Sequence, residues 1–251
     1  MSTSFATLVL SWLVTLGYSF PSLLGVGRTT EAVVLPAPER SLPGCRYGDL
    51  VVRRGIDAEP PLVLVDTQFR LPRGYAPRDL RSTEGSALQG RATVRAHVLE
   101  DLGRMARAAR RAGTPLAIRT GYRSEGFQRV IFDGWVEDVG PDAALRASAR
   151  PGHSEHQLGV AIDLATPGEP APWEQVDWGA TPTGEWLARH AWEYGFVMTY
   201  PPDSEAVTCY RYEPWHHRYV GRPVARALHV SGLTLREYLW YRGSPGDRAA
   251  D

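Results

Sequence analysis

The chain has 251 residues, 43% hydrophobic and 22% charged, which is room for one good-sized domain plus an extension, or for two small domains. Acidic and basic residues balance at 28 each, so no global field argues for nucleic acid or an acidic membrane as partner. Every basic residue is Arg, and the lack of Lys excludes any mechanism built on a catalytic lysine.

The chain opens with 27 uncharged residues before Arg28, and Phe5 to Leu16 is an almost unbroken apolar run. That run has the length of the hydrophobic region of an export signal, and Thr30-Glu31-Ala32 offers small residues for cleavage. Phe5 to Val26 is equally long enough for an uncleaved membrane anchor, although Gly17, Ser19 and Pro21 interrupt it. Residues 1–32 are therefore read as signal peptide or anchor, which places the rest of the chain outside the cytoplasm. Pro36, Pro38, Pro43 and Pro60 mark residues 33–60 as a linker leading into one domain over 61–245. Cys45 and Cys209 are the only cysteines; in an exported protein they read as one disulfide, the alternative being two buried thiols.

Within the domain, Leu62 to Val65 predicts a short strand, and Val94, Val98, Leu102, Met105 and Ala109 recur at helical spacing over 89–112. Pro115 to Ile118 predicts a strand ending in Thr120-Gly121-Tyr122-Arg123-Ser124, with Ser124 as N-cap of a helix through Trp135. Residues 138–152 read as a polar connection. From Gly159 to Ala165 the pattern alternates, with Val160, Ile162 and Leu164 on one face and Gly159, Ala161 and Asp163 on the other. A helix follows over Gly184 to Tyr194, then a hairpin of Phe196 to Tyr200 with Ala206 to Tyr212. Two short helices close the domain, near Val224 to His229 and Leu235 to Tyr241. Helices and strands mix without a strict βαβ rhythm, which predicts an α+β fold in a single domain.

Two segments carry the chemistry: His153 to Asp163, and Glu213-Pro214-Trp215-His216. A hydrolytic zinc centre takes three protein ligands, leaves one position to water, and needs a further carboxylate to move that water's proton. His156, Asp163 and His216 are assigned to the metal and Glu213 to the base; two imidazoles and one carboxylate suit Zn2+ best. His156 is expected on a turn feeding the strand of Asp163, and Pro214 is expected to open a helical turn that puts Glu213 and His216 on one side. His153 and His217 are read as supporting neighbours, and His97, His190 and His229 as structural. Arg123, at a strand end, is a candidate for holding a carboxylate or an oxyanion.

Ser154-x-His156-x-x-Gly159-x-Ala161-x-Asp163, with Glu213-Pro214-Trp215-His216 and Gly121-Tyr122-Arg123-Ser124, resembles the VanY-type D-alanyl-D-alanine carboxypeptidases, a zinc peptidase group that includes D-Ala-D-Ala dipeptidases and Hedgehog-like domains. The resemblance runs over roughly residues 60 to 241. It implies a central, mainly antiparallel sheet flanked by helices. It implies an exported enzyme that removes the terminal D-Ala from peptidoglycan stem peptides. It also implies that Arg123 faces the substrate, with Ser154 and Gln128 as further substrate contacts. Leu158 and His190 depart from the family pattern and bear on substrate preference. Two other readings are an L,D-carboxypeptidase acting on tetrapeptide stems and a non-enzymatic, zinc-stabilised binding module.

Overall fold

In the computed structural model, which describes residues 41–52 and 56–243, β1 (Leu50–Val51) pairs in parallel with β2 (Phe69–Arg70). β3 (Leu80–Ser82) pairs antiparallel with β4 (Thr93–Arg95). Next come α1 (Leu99–Arg111), β5 (Ala117–Thr120), α2 (Glu125–Val139) and α3 (Pro141–Ala147). The chain continues through β6 (Ala161–Ala165), α4 (Pro182–His190), β7 (Phe196–Met198), α5 (Glu205–Thr208) and β8 (His216–Tyr219). It ends with α6 (Arg222–Ser231) and α7 (Leu235–Arg242). The principal sheet has the order β5-β6-β8-β7 and is antiparallel throughout. This is an α+β fold with the central antiparallel sheet that the sequence implied.

Strand parity sets the two faces of that sheet. Ile162 and Leu164 join Leu102, Met105 and Ala109 of α1 and Phe196 of β7 in the main core, all fully buried. Each of the larger of these side chains contributes about 1.5–3 kcal/mol by leaving water. Asp163 points the other way, and cross-strand pairing sets it directly opposite His216. A second cluster, including Leu64, Val220, Leu228, Leu235 and Leu239, packs α6 and α7 onto the domain. Local chemistry fixes the helix starts: Ser124 Oγ accepts from Phe127 N (3.1 Å), and Thr234 and Glu237 form a reciprocal capping box.

The described part of the lead-in is held against the domain. Cys45 and Cys209 form a disulfide, and the Leu50 and Val52 amides donate to the carbonyls of Gln68 and Arg70. The N-terminal apolar segment lies outside the described residues. Among those that are described, no helix is long and apolar enough to cross a membrane.

Several predicted elements are corrected. The helix expected from residue 89 starts only at Leu99, because 93–95 form β4 and Ala96–Val98 a 3-10 turn. Val94 and Val98 fit helical spacing by coincidence, since both are buried from non-α-helical backbone. Leu62 to Val65 is not a strand; Pro60 and Pro61 open a 3-10 turn over Pro60–Leu62. The connection over 138–152 contains α3, started by Pro141. The expected hairpin is absent, since β7 pairs with β8 and 205–208 is a helical turn.

Candidate metal centre

His156 sits in a 3-10 turn, Glu155–Leu158, which Gly159 ends in the left-handed conformation (φ 74°). A side chain at Gly159 would be strained in that conformation and would press on Arg95 and Leu80. The turn delivers the chain straight into β6, so His156 and Asp163 converge as the spacing predicted. Glu213 and His216 are joined by a tight turn, His216 N donating to Glu213 O (3.1 Å), and not by a helix. The turn still puts both side chains on the cleft side.

Ligand atoms of His156, Asp163 and His216 lie within 4.8 Å of one another, and all three residues are buried. His156 Nε2 is 3.2 Å from Asp163 Oδ2, and His216 Nδ1 is 3.1 Å from Asp163 Oδ1. Both outward ring nitrogens have acceptors: His156 Nδ1 donates to Gly121 O (2.8 Å), and His216 Nε2 donates to Glu155 Oε2 (2.9 Å). With the outward protons so placed, the neutral form of each ring turns a lone pair inward. Position 121 has no room for a side chain, because a Cβ there would collide with Thr93 O. This donor set fits a zinc ion.

Burial opposes charge on His216, but hydrogen bonds to Asp163 and Glu155 outweigh it and push the imidazolium up to about 10. Burial likewise opposes ionisation of Asp163, yet His156 and His216 hold it well below the usual carboxylate range. Burial and the Arg123 guanidinium lower His156. A metal binding here must displace the proton from His216 Nδ1.

Glu213 lies beside the trio, its Oε2 4.0 Å from His216 Nδ1 and its side chain 15% exposed. Burial lifts its carboxyl to about 7. Arg123 donates through Nη2 to Asp163 Oδ2 (3.1 Å) and through Nη1 to Gln128 Oε1 (2.8 Å). The trio, Glu213 and Arg123 line a cleft of about 450 Å³ together with Phe127, Trp173, Trp215 and Tyr200. The Tyr200 ring stacks on His216 at 5.0 Å.

The VanY family model, described as D-alanyl-D-alanine carboxypeptidase, matches residues 91–222. The chain belongs to the VanY family. YodJ of Bacillus subtilis (strain 168) is 37% identical over 209 residues, covering 80% of this chain and 76% of its own. Among solved structures, the LdcB LD-carboxypeptidase is similar with a TM-score of 0.66 and 35% identity, over 76% of this chain and 89% of its own. A mutant of the vancomycin resistance D,D-pentapeptidase VanY, solved with Zn(II), is similar with a TM-score of 0.61 and 29% identity, over 71% of this chain and 98% of its own.

As a VanY family member the chain is a zinc metallopeptidase, and the remaining sequence readings can be placed on its cleft. Ser154 lines it. Gln128 is fully buried, with Nε2 on Ser148 Oγ and Ala149 O and Oε1 on Arg123, so it stands behind the guanidinium. His153 donates to Asp66 O (2.7 Å) and lies 3.0 Å from Asp49, tying the lead-in down and touching no member of the trio. His217 faces the opposite side of the sheet. Sequence reasoning passed over Glu155 and Arg218, which meet at 2.7 Å behind His216. An acid directly before a ligand, and an arginine two residues after another in an otherwise buried strand, were the available signals.

Proposed function

We propose that the chain is a zinc-dependent D-alanyl-D-alanine carboxypeptidase that removes the terminal D-Ala from peptidoglycan stem peptides outside the cytoplasm. The observation that carries this is the convergence of the buried His156, Asp163 and His216 with a free carboxylate and a guanidinium in one open cleft. His156, Asp163 and His216 would hold the ion. When bound, zinc supplies Lewis acidity, lowering the pKa of water and polarising the scissile carbonyl.

The chain's own residues do the rest. Glu213, raised to about 7 by burial, is suited both to take a proton from the attacking water and to return it to the leaving D-Ala nitrogen. Arg123 cannot swing freely, because Gln128 and Asp163 grip both its terminal nitrogens. It therefore presents a fixed positive charge to the substrate's terminal carboxylate or scissile carbonyl. Ser154 adds a hydroxyl at the cleft wall. Phe127, Trp173 and Trp215 give the cleft apolar walls against which a stem peptide can pack. Export is assigned to residues 1–32, as a cleaved signal or as an anchor.

The likeness to the LD-carboxypeptidase LdcB favours a second reading, trimming of tetrapeptide stems at the same site. Incubating zinc-loaded protein with defined pentapeptide and tetrapeptide stems, then weighing the products, separates the two. Loss of one alanine from the pentapeptide alone supports the D,D reading. Cleavage of the tetrapeptide alone replaces it with the L,D reading.

A further inference from the structure

Glu155 precedes a metal-site histidine but points away from the metal position, and its surroundings are unusually complete. It is 4% exposed, and both carboxylate oxygens are engaged. Oε1 accepts from Arg218 Nη1 (2.7 Å), and Oε2 accepts from Thr199 Oγ1 (2.8 Å) and His216 Nε2 (2.9 Å). Arg218 is fully buried, and its Nη2 donates onward to the carbonyls of Pro61 and Val63. A buried carboxylate–guanidinium pair contributes little net stability compared with apolar side chains of similar volume, so packing alone gives no reason for this one. Its geometry does. The pair lies on the sheet face of His216, and the oxygen that Arg218 leaves free meets the ring nitrogen turned away from Asp163.

We propose that Glu155 is the positioning residue for His216. Its carboxylate, anchored by Arg218, fixes the ring's rotation and keeps the proton on Nε2, so that Nδ1 is presented bare to the ion. Arg218 is the second member of the device: it holds Glu155 to the segment over 61–63 and balances its charge, so the acid stays ionised without drawing on the metal. Tyr200, stacked on the same ring, closes the remaining direction of movement. The inference rests on the reading of His216 as a metal ligand.

Glu155→Gln separates positioning from packing. The amide keeps the volume but must turn an NH2 toward either Arg218 or His216. The first leaves a buried guanidinium facing donors. The second draws the His216 proton to Nδ1 and blocks the ligand atom. Zinc affinity, measured by competition with a chelator, is expected to fall roughly 10–100-fold, with a changed visible spectrum in the cobalt-substituted protein. Glu155→Asp keeps the charge opposite Arg218 while withdrawing the oxygen from His216, and is expected to show a smaller loss of the same kind; it serves if the amide variant does not fold. Unchanged metal affinity and cobalt spectrum, with only a lower melting temperature, would reduce Glu155 to a strut. Imidazole NMR of the zinc-loaded wild-type protein gives an answer without any substitution: a slowly exchanging Nε2 proton on His216 is expected, and a proton on Nδ1 overturns the proposal. If His216→Ala retains zinc, the ligand reading fails instead. Zinc lost in that variant but undisturbed in Glu155→Gln overturns the positioning role alone.

Discussion

His216 and His217 are neighbours on β8, yet they sit on opposite faces of the sheet and in opposite chemical states. His216 faces the cleft opposite Asp163, and the carboxylates around it push its imidazolium up to about 10. His217 faces the apolar side between Ile162 and Met198, where burial pulls it down to about 4. Its Nδ1 has only a long contact to Trp215 O (3.4 Å), and its Nε2 has no partner among the described residues. A histidine becomes a candidate ligand here through the face its strand turns toward the acids, and not through its residue type. The same alternation places Arg218 with His216.

The comparison can be broken most severely at the histidines themselves. His216→Ala is expected to reduce zinc content and D-Ala release to background, whereas His217→Leu should keep both; elemental analysis and a release assay read the pair. Loss of zinc in the His217 variant alone would reverse the faces. Next in size is Glu213→Gln, expected to retain full zinc while kcat falls about 10²–10⁴-fold. Near wild-type turnover in that variant would remove Glu213 from the proton path.

Smaller effects follow from burial. In the metal-free protein, Glu213 is lifted from 4.5 to about 7. Between those values the folded chain holds a proton that the unfolded chain has released, so stability falls as pH rises through that window. Glu213→Gln removes this loss, and the metal-free variant should exceed wild type by about 1–3 kcal/mol at pH 8 but not at pH 4, as read by denaturant unfolding. On the opposite face the sign reverses. His217 drops from 6.5 to about 4, so the unfolded chain binds the extra proton and wild type loses stability as pH falls from about 6.5 to about 4. His217→Leu should shed about 1–2 kcal/mol of that acid sensitivity. Equal acid sensitivity in the two proteins would show that His217 titrates freely.

What could be read in advance divides along similar lines. The turn at His156, the strand parity of Asp163 and the cap at Ser124 were legible because each depends on a few adjacent residues. Val160, Ile162 and Leu164 marked one face of β6, which left Asp163 only the other. β4 and the β7–β8 pairing were not legible, since long-range partners decide them. Val94 fits a helical repeat as well as it fits a strand, and only Arg81 opposite it settles the matter. Gln128 was placed near substrate by resemblance, but its complete burial behind Arg123 depends on how α2 packs. Glu155 was hidden for the same reason: its partners Arg218, Thr199 and His216 lie 44 to 63 residues away.

The central claim is that the cleft face is a zinc-dependent hydrolytic centre. The most direct test strips the protein of metal, restores stoichiometric zinc, and follows release of D-alanine from a pentapeptide stem in both samples. Release that vanishes on stripping and returns with zinc is the expected result. Equal release from the stripped protein would contradict the account.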